Sequence, residues 1–295
     1  MDEILINGWR RLAVRRGGKP TGYPVFLLHG TPGSRLSARP TDDELDQLGV
    51  CLITYDRPGY GGSDPYPGRS VAHAANDVRA IADAFGYRRF AVLGRSGGGP
   101  HALACAALLP ERVTRVASLV TLAPYDANGL DWLGGMVESN RRQYGAAALG
   151  PAELAQVMYP LVVAMRANPE HFAERLSADA SPGDRAVLAD PDYHTTFISS
   201  MSEAINQSLD GWAADNLAFT RPWGFEPNWI SVPTLLWHGV RDVFSPVTHA
   251  RWLAERIAGA VLLLSDRSHL NAASVQGSAI HWLLTGEQPR EGLAW

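Results

Sequence analysis

The sequence predicts an α/β domain built on a mostly parallel sheet, and three observations support this prediction. Short apolar runs alternate with helical segments over residues 24–122, which is typical of a parallel sheet with crossover helices. The same alternation resumes at Pro233, after a long interval without strand signals. Glycine-rich or polar loops follow the early apolar runs, as expected where parallel strands place their loops at one ligand-binding edge.

Composition limits the classes of protein that fit. The 295 residues, 46% of them hydrophobic, suffice for one large domain or for a core with an inserted subdomain. The net charge of −4 without a basic face argues against a nucleic-acid partner. Cys51 and Cys105 lie in apolar runs, so we interpret them as buried hydrophobic residues and expect neither a disulfide nor a metal site.

No sequence signal points to a membrane or to export. No apolar run reaches the roughly 18 residues that a membrane-spanning helix requires. The acidic start, Met1-Asp2-Glu3, is not followed by the apolar core of a signal peptide. We therefore expect a cytoplasmic protein with a small-molecule substrate, no cofactor and no membrane partner, either as a monomer or as a homodimer.

The elements of the first half follow from apolar periodicity. Residues 3–16 alternate between apolar and polar positions, which predicts an antiparallel strand or hairpin at a sheet edge. Buried strands are predicted at 24–28, 50–55, 90–93 and 113–122, and helices at 41–48, 71–85 and 100–109. The loops at 29–33, 56–63 and 94–98 then lie together at the carboxyl edge of the sheet.

The interval from 125 to 229 has a different pattern. Strand signals vanish, and helices are predicted around 154–165, 169–177 and 193–208. The first of these has apolar residues at helical spacing, namely Leu154, Val157, Met158, Leu161, Val162 and Met165. Pro160 is predicted to kink or break it. The sequence thus predicts a helical insertion at 125–229 in a core formed by 1–124 and 230–295.

After the insertion, the strand and helix pattern returns to complete the core. Strands are predicted at 233–237 and 260–264, and helices at 246–258 and 272–284. Loops following these two strands lie at the same sheet edge as the earlier loops.

The pentapeptide Gly94-Arg95-Ser96-Gly97-Gly98 joins a buried strand to a helix of small residues. A strand, a G-x-S-x-G turn and a helix form the pattern of a nucleophile elbow. The sharp turn forces the serine toward positive φ, and Gly94 and Gly98 allow neighbouring backbone to pass close to it. Helix amides next to such a serine stabilise negative charge.

A serine nucleophile requires a base in contact with it and a third group that orients the base. Asp242 follows the strand that ends at Trp237, and His269 follows the strand that ends at Leu264. The order serine, acid, histidine is typical of one fold among those that carry such triads. Asp126 is a competing acid because it follows the preceding strand, but the G-x-x-D spacing favours Asp242.

Five motifs together resemble those of the α/β-hydrolase superfamily, over nearly the whole chain. They are His29-Gly30, the D-x-x-G-x-G-x-S-like loop at 56–63, the elbow at 94–98, Gly239 to Asp242, and the late His269. The layout is similar to polyketide methylesterases and to proline iminopeptidase-like bacterial hydrolases, although the latter have glycine where Thr31 stands. The resemblance implies an eight-stranded sheet with a helical cap inserted after the sixth strand.

The resemblance also implies a role for each matching residue. Ser96 would attack a carbonyl, His269 would take and return its proton, and Asp242 would orient the imidazole. The amides of Gly97 and Thr31 would form the oxyanion hole, since Pro32 has no amide hydrogen. The residues predicted to contact the substrate are Trp132, Trp212, Trp223 and Trp229 of the insertion, with His101 of the elbow helix.

These residues predict a serine hydrolase that cleaves a small-to-medium apolar carboxylic ester through an acyl-enzyme on Ser96. Dehalogenases and epoxide hydrolases carry aspartate at the nucleophile, so Ser96 excludes their usual mechanism. Carbon–carbon bond hydrolases, aminopeptidases and cofactor-free haloperoxidases share the same triad and stay open as alternatives. A ligand-binding receptor that kept the hydrolase fold is an alternative of another class.

Overall fold

A computed structural model describes residues 2–6 and 9–287. Within these residues the strands form one eight-stranded sheet in the order β1-β2-β4-β3-β5-β6-β7-β8. Pairing is antiparallel for β1 with β2 and for β2 with β4, and parallel elsewhere, so the predicted fold class is confirmed. The strands are β1 (Asp2–Ile6), β2 (Arg10–Gly18), β3 (Tyr23–Leu28), β4 (Val50–Tyr55), β5 (Phe90–Arg95), β6 (Val113–Leu119), β7 (Thr234–Gly239) and β8 (Val261–Ser265).

Helices account for about half of the remaining described chain. They are α1 (Asp42–Gln47), α2 (His73–Ala84), α3 (Gly98–Leu108), α4 (Glu138–Leu149), α5 (Pro151–Ala167), α6 (Glu170–Asp179), α7 (Pro182–Leu188), α8 (Pro191–Ala204), α9 (Asp210–Phe219), α10 (Thr248–Ala254) and α11 (Gln276–Thr285). Two short 3-10 helices span Pro227–Trp229 and Leu270–Ala273, and the latter starts the segment predicted as one helix at 272–284. None of the described helices has the length and apolar character needed to cross a bilayer.

The N-terminal hairpin closes one edge of the sheet, as the alternating pattern of 3–16 predicts. Ile4 of β1 pairs with Leu12 of β2 in the antiparallel register. Residues 7 and 8 of that predicted segment lie outside the described residues. Leu12 and Val14 are fully buried and join the core on one face of the sheet.

Two hydrophobic cores cover the two faces of the sheet. Side chains alternate along β3, so that Phe26 and Leu28 pack with α2, α3 and α10. Val25 and Leu27 point the other way and pack with α1 and α11. Burial on both faces explains why β4 and β7 are continuous apolar runs and not alternating ones.

Helices α4 to α9 all lie between β6 and β7, the interval predicted as a helical insertion. Residues 125–229 contain no strand in the structure, all of them being described. Side chains from α5, α8 and α9 form their own hydrophobic cluster, which also includes Tyr60 from the loop after β4. The division into a core and an insertion at these boundaries stays a prediction.

The predicted break at Pro160 is wrong, because α5 runs through this residue from Pro151 to Ala167. A proline inside a helix costs about 3 kcal/mol, mainly through a lost hydrogen bond and a clash. Four buried side chains on the opposite face, Leu154, Met158, Val162 and Met165, each contribute roughly 1.5–3 kcal/mol. Pro160 itself is exposed, so water can bind the carbonyl that the missing amide leaves free.

Candidate active site

The elbow has the strained geometry that its sequence predicts. Ser96 sits between β5 and α3 with a φ of 55°, which confirms the predicted positive φ. A Cβ at Gly94 would lie 2.3 Å from the carbonyl oxygen of Gly98, so no larger residue fits there. Gly98 is equally constrained, since its Cβ would lie 2.1 Å from the carbonyl oxygen of Leu28.

The three residues of the predicted triad meet in one hydrogen-bonded line. Ser96 Oγ lies 3.0 Å from His269 Nε2, and His269 Nδ1 lies 2.7 Å from Asp242 Oδ2. Asp242 follows β7 and His269 follows β8, so parallel neighbours place both loops at the edge that carries the elbow. This arrangement allows the imidazole to take a proton from the serine while the carboxylate holds its other nitrogen.

Asp242 is buried but remains ionised. Its Oδ1 accepts hydrogen bonds from the amides of Phe244 (2.8 Å) and Ser245 (2.9 Å). Burial alone would raise the pKa of this carboxyl, but His269 and His238 outweigh burial and hold the pKa well below its usual range. A permanent negative charge therefore stands behind the imidazole.

The contact between Asp242 and His269 also sets the proton affinity of His269, the base of the triad. Burial alone would lower the pKa of His269, but the Asp242 carboxylate more than offsets it. The net result is a pKa above the ordinary histidine value, because the imidazolium form is stabilised by its partner. Such a base accepts the serine proton readily and holds it through the charged intermediate.

Ser245 is a polar neighbour of the triad that sequence reasoning missed. Its Oγ donates to the carbonyl oxygen of Val120 (2.7 Å) and lies 3.2 Å from Asp242 Oδ2. Val120 follows β6 and adopts a φ of 46°, a conformation that branched side chains rarely adopt. The bond from Ser245 therefore ties a strained turn after β6 to the acid after β7.

The residues of the two predicted oxyanion donors lie against each other beside the nucleophile. A Cβ at Gly97 would lie 2.2 Å from Thr31 Oγ1, so only glycine leaves room there for the Thr31 side chain. A Cβ at Gly30 would lie 4.0 Å from Ser96 Oγ, which places the 29–33 loop against the serine. The donation of both amides to an oxyanion stays a prediction.

Beneath the Thr31 loop lies a fully buried carboxylate, Asp215 of α9. Five side chains converge on it: Thr31 Oγ1 at 2.6 Å, Arg57 Nη2 at 2.5 Å, Tyr60 OH at 2.8 Å, Arg69 Nη2 at 2.6 Å and His101 Nε2 at 3.3 Å. Burial alone would raise the pKa of Asp215, but Arg57 and Arg69 hold it well below its usual range. We call this group the Asp215 cluster.

The Asp215 cluster fixes the loop that carries Thr31. Arg57 also donates to the carbonyl oxygens of His29 and Gly30, the latter at 2.9 Å. Asp215 thus connects the helical insertion to the backbone next to the nucleophile. A sequence signal for it exists, since Asp215 stands on the same helical face as Trp212 and Phe219, where an acid is unexpected.

His101 belongs to this cluster and is not among the described residues that line the catalytic cavity, contrary to the prediction made from its position. The side chain is buried between Asp215 and the carbonyl oxygen of Val71. Burial lowers the pKa of His101 to about 4 in spite of the neighbouring carboxylate, so the ring stays neutral. A neutral imidazole carries one N–H, so His101 donates to only one of these two acceptors.

Three of the four tryptophans predicted to line the substrate pocket also lie elsewhere among the described residues. Trp132 is buried in the core, where its indole donates to Ala123 O (2.8 Å) and its ring packs edge-on against Tyr144. Trp223 packs on Phe225, and Trp229 is 53% exposed. These three rings pack in the core or lie at the surface. Of the four predicted tryptophans, only Trp212 is among the described residues that line the catalytic cavity.

The catalytic cavity opens directly above Ser96 and His269 and encloses about 180 Å³. A water molecule takes about 30 Å³ in the liquid, so this space fits an organic substrate. Its apolar wall comes mainly from the helical insertion and includes Leu161, Phe172, Phe197 and Trp212. Its charged wall contains Arg95, Arg142, Arg175 and Asp179.

Comparison with known proteins agrees with this geometry. A family model described as the alpha/beta hydrolase fold matches residues 23–272. The chain belongs to the α/β-hydrolase family. The resemblance predicted from its motifs is therefore confirmed.

Individual relatives of this α/β hydrolase carry several activities. Epoxide hydrolase B of Mycobacterium tuberculosis is 30% identical over 138 residues, which cover 45% of this chain and 38% of that protein. A 2-hydroxy-6-oxononadienedioate/2-hydroxy-6-oxononatrienedioate hydrolase of Cupriavidus pinatubonensis is 25% identical over 214 residues, covering 65% of this chain and 70% of that protein. The chain thus spans well under half the length of the first relative and about two thirds of the second.

A solved structure of a bromoperoxidase from Bacillus anthracis superimposes with a TM-score of 0.70 at 20% identity, covering 96% of this chain and 99% of the other. Identity at that level establishes the shared fold and nothing about the reaction. The named relatives include hydrolases, which supports an enzymatic role for this α/β hydrolase. The exact reaction must be argued from the site itself.

Proposed function

We propose that this α/β hydrolase cleaves a small-to-medium, mainly apolar carboxylic ester through an acyl-enzyme on Ser96. The observation that carries the proposal is the line from Ser96 Oγ through His269 to Asp242, with contacts of 3.0 and 2.7 Å. Those contacts support serine as the nucleophile. An apolar wall beside the serine supports an apolar substrate body.

The proposed reaction proceeds in two halves. In the first, Ser96 Oγ attacks the ester carbonyl while its proton passes to His269 Nε2, and the amides of Gly97 and Thr31 bind the oxyanion. His269 then returns that proton to the leaving alcohol. In the second half, His269 removes a proton from water, the resulting hydroxide attacks the acyl-enzyme, and the acid leaves as Ser96 regains its proton.

Carbon–carbon bond hydrolysis is a second candidate function, favoured by the similarity to the Cupriavidus hydrolase over most of the chain. The aminopeptidase alternative is less favoured by the site. Asp215, a fully buried acid of the insertion, is engaged by Arg57 and Arg69 and is not available to hold a substrate amine. Three arginines on the cavity wall also disfavour a cationic group.

The proposal is tested by covalent labelling. A fluorophosphonate probe is expected to label the protein once per chain, with peptide mass mapping to Ser96, because Ser96 combines a contact to His269 Nε2 with the position at the nucleophile elbow. The same protein is then screened on acyl esters, arylamides and vinylogous diketones. Turnover of diketones alone would favour the second candidate, and labelling elsewhere would contradict the proposed nucleophile.

The raised pKa of His269 predicts the pH dependence of catalysis. Protonated imidazole cannot accept the serine proton, so kcat/KM on an uncharged ester is expected to fall with decreasing pH. The midpoint should lie above 6.5, the ordinary histidine pKa, because Asp242 stabilises the imidazolium against the opposing effects of burial and Arg95. A pH–rate profile of the free enzyme measures that midpoint.

Asp184 provides a control for the electrostatic origin of this midpoint. Its carboxylate accepts a hydrogen bond from the Leu270 amide and raises the pKa of the neighbouring His269. Asp184→Asn should therefore move the midpoint to lower pH. A rate that stays constant down to pH 5 in the parent enzyme would exclude His269 as the base.

A further inference from the structure

Arg95, the residue before the nucleophile, has a side chain that the triad does not use. It is half-buried at the end of β5 and lines the catalytic cavity together with Ser96 and His269. Its Nη1 is enclosed by protein and has no hydrogen-bond partner among the described residues. Arg10 Nη1 and Arg69 Nε also lack a partner, so the distinguishing feature of Arg95 is the absence of a carboxylate beside its charge rather than the single unpaired donor.

Other arginines enclosed by the fold are paired with carboxylates. Arg10 contacts Asp77 at 2.5 Å, and Arg69 contacts Asp215 at 2.6 Å. Arg57 shares Asp215 in the same way, at 2.5 Å. No described carboxylate forms an ion pair with Arg95, so this arginine differs from the structural ones in lining the catalytic cavity without a counter-charge.

Arg95, Tyr193 of α8 and His269 all line the catalytic cavity. Burial raises the pKa of the Tyr193 hydroxyl, and the positive charge of Arg95 opposes that rise. The same charge lowers the proton affinity of His269. Arg95 therefore acts electrostatically on both the base of the triad and the α8 side of the cavity.

Positive side chains also outnumber negative ones in the rest of the described cavity lining. Arg142 and Arg175 are exposed at its wall, whereas Asp179 is the single carboxylate among the described lining residues. Asp184 lies nearby, but it accepts hydrogen bonds from the Leu270 amide (2.7 Å) and from Ser181 Oγ (2.8 Å). The cavity consequently attracts a negatively charged ligand more than a neutral or positive one.

We propose that Arg95 binds a carboxylate of the substrate, so that the preferred substrate is an ester with an apolar body and one carboxylate near the scissile carbonyl. This inference rests on the proposed ester hydrolysis. A guanidinium presents two parallel N–H donors that match the two oxygens of a carboxylate. Placed next to Ser96 in sequence, Arg95 would orient the ester against the nucleophile and act as a specificity-determining residue.

The alternative is that Arg95 has a purely structural role, and the test must distinguish this role from substrate binding. Arg95 and Gln276 both line a small adjoining cavity, and Gln276 Oε1 also lacks a hydrogen-bond partner among the described residues. If Arg95 serves only to fill that space, its replacement changes the melting temperature but not the choice between charged and neutral substrates. Substrate preference is therefore the readout that distinguishes the two roles.

Two matched pairs of esters test the inference. The first pair is 4-nitrophenyl hydrogen glutarate and its methyl ester, and the second is 3-acetoxybenzoate and its methyl ester. They place the carboxylate on the acyl side and on the alcohol side respectively. The ratio of kcat/KM for the charged member over the neutral member is measured for the parent enzyme and for Arg95→Gln, Arg95→Lys and Arg221→Gln.

In the parent enzyme, the ratio is expected to favour the charged member of at least one pair by about 10-fold or more. Arg95→Gln should reduce that ratio by about 10- to 100-fold, the range expected for a lost charged hydrogen bond. Arg95→Lys should retain part of it, and Arg221→Gln, an exposed charge away from the cavity, should leave the ratio unchanged. A ratio that Arg95→Gln does not alter, or a parent enzyme that favours the neutral member of both pairs, overturns the inference.

Failure of ester hydrolysis itself is recognised separately. Calorimetric binding of glutarate monomethyl ester to Ser96→Ala requires no turnover. Binding to Ser96→Ala that is lost in the Ser96→Ala/Arg95→Gln double variant supports the anion site even if no ester is cleaved. Absence of binding in both, together with cleavage of neutral esters by the parent enzyme, rejects the anion site and leaves the proposed hydrolysis intact.

Discussion

Replacement of Ser96 by alanine is expected to lower kcat by about four to six orders of magnitude. The hydroxyl is the one group in line with His269 Nε2, at 3.0 Å, so no neighbouring atom can form the acyl-enzyme in its place. Residual rate would come only from binding and from the oxyanion donors. Single-turnover and steady-state kinetics on a 4-nitrophenyl ester measure the loss, with circular dichroism to verify the fold.

A second replacement shows whether the triad acts as one unit. His269→Ala should lose nearly as much activity as Ser96→Ala, and the double variant should lose no more than either one. Groups that act in one proton-transfer step are strongly non-additive, whereas independent contributions multiply. Multiplicative losses, or an active Ser96→Ala enzyme, would contradict a serine-dependent mechanism.

Asp215→Asn is expected to cost about 3–5 kcal/mol in the free energy of unfolding. This change leaves Arg57 and Arg69 buried without their shared counter-charge, since both lie within 2.6 Å of Asp215. It also weakens the acceptor of the Thr31 hydroxyl. We therefore expect kcat to fall more than KM rises, because the misplaced Thr31 amide would bind the transition state less well than the substrate.

The matched control for Asp215→Asn is a carboxylate paired at the surface. Asp266 pairs with Arg241, and their side chains are 70% and 65% exposed. Such pairs contribute about 0–1 kcal/mol, so Asp266→Asn should change urea unfolding little. If both variants shift the unfolding midpoint equally, the Asp215 cluster does not hold the insertion to the core.

Sequence reasoning succeeded where chemistry imposes local rules. The elbow could be predicted because a positive φ at Ser96 requires glycine around it, and Asp242 and His269 because each follows a strand directly. Both faces of β4 and β7 are buried, so their sequences are continuous apolar runs that could be recognised as strands. These features depend on residues that are close together in the chain.

Features that depend on tertiary partners could not be predicted in this way. The Asp215 cluster joins α9 to residues near positions 31, 57, 69 and 101, and no local pattern encodes which acid meets which arginine. Hydrophobicity likewise indicates that Trp132 is buried but not that it packs behind Tyr144 and stays out of the described cavity lining. The break predicted as one outcome at Pro160 is wrong because the stabilising face of α5 lies opposite to this proline.

The span of chain between the reacting groups has a consequence for biosynthesis. Ser96 and His269 are 173 residues apart in sequence, and Asp242 and His269 follow the last two strands of the described sheet. A growing polypeptide therefore carries its elbow serine without a base until β7 and β8 have been made and added to the sheet edge. The hydrogen-bonded partner of Ser96 therefore exists only after the last two strands of the described sheet have been added, which makes the nucleophile dependent on the final steps of sheet assembly.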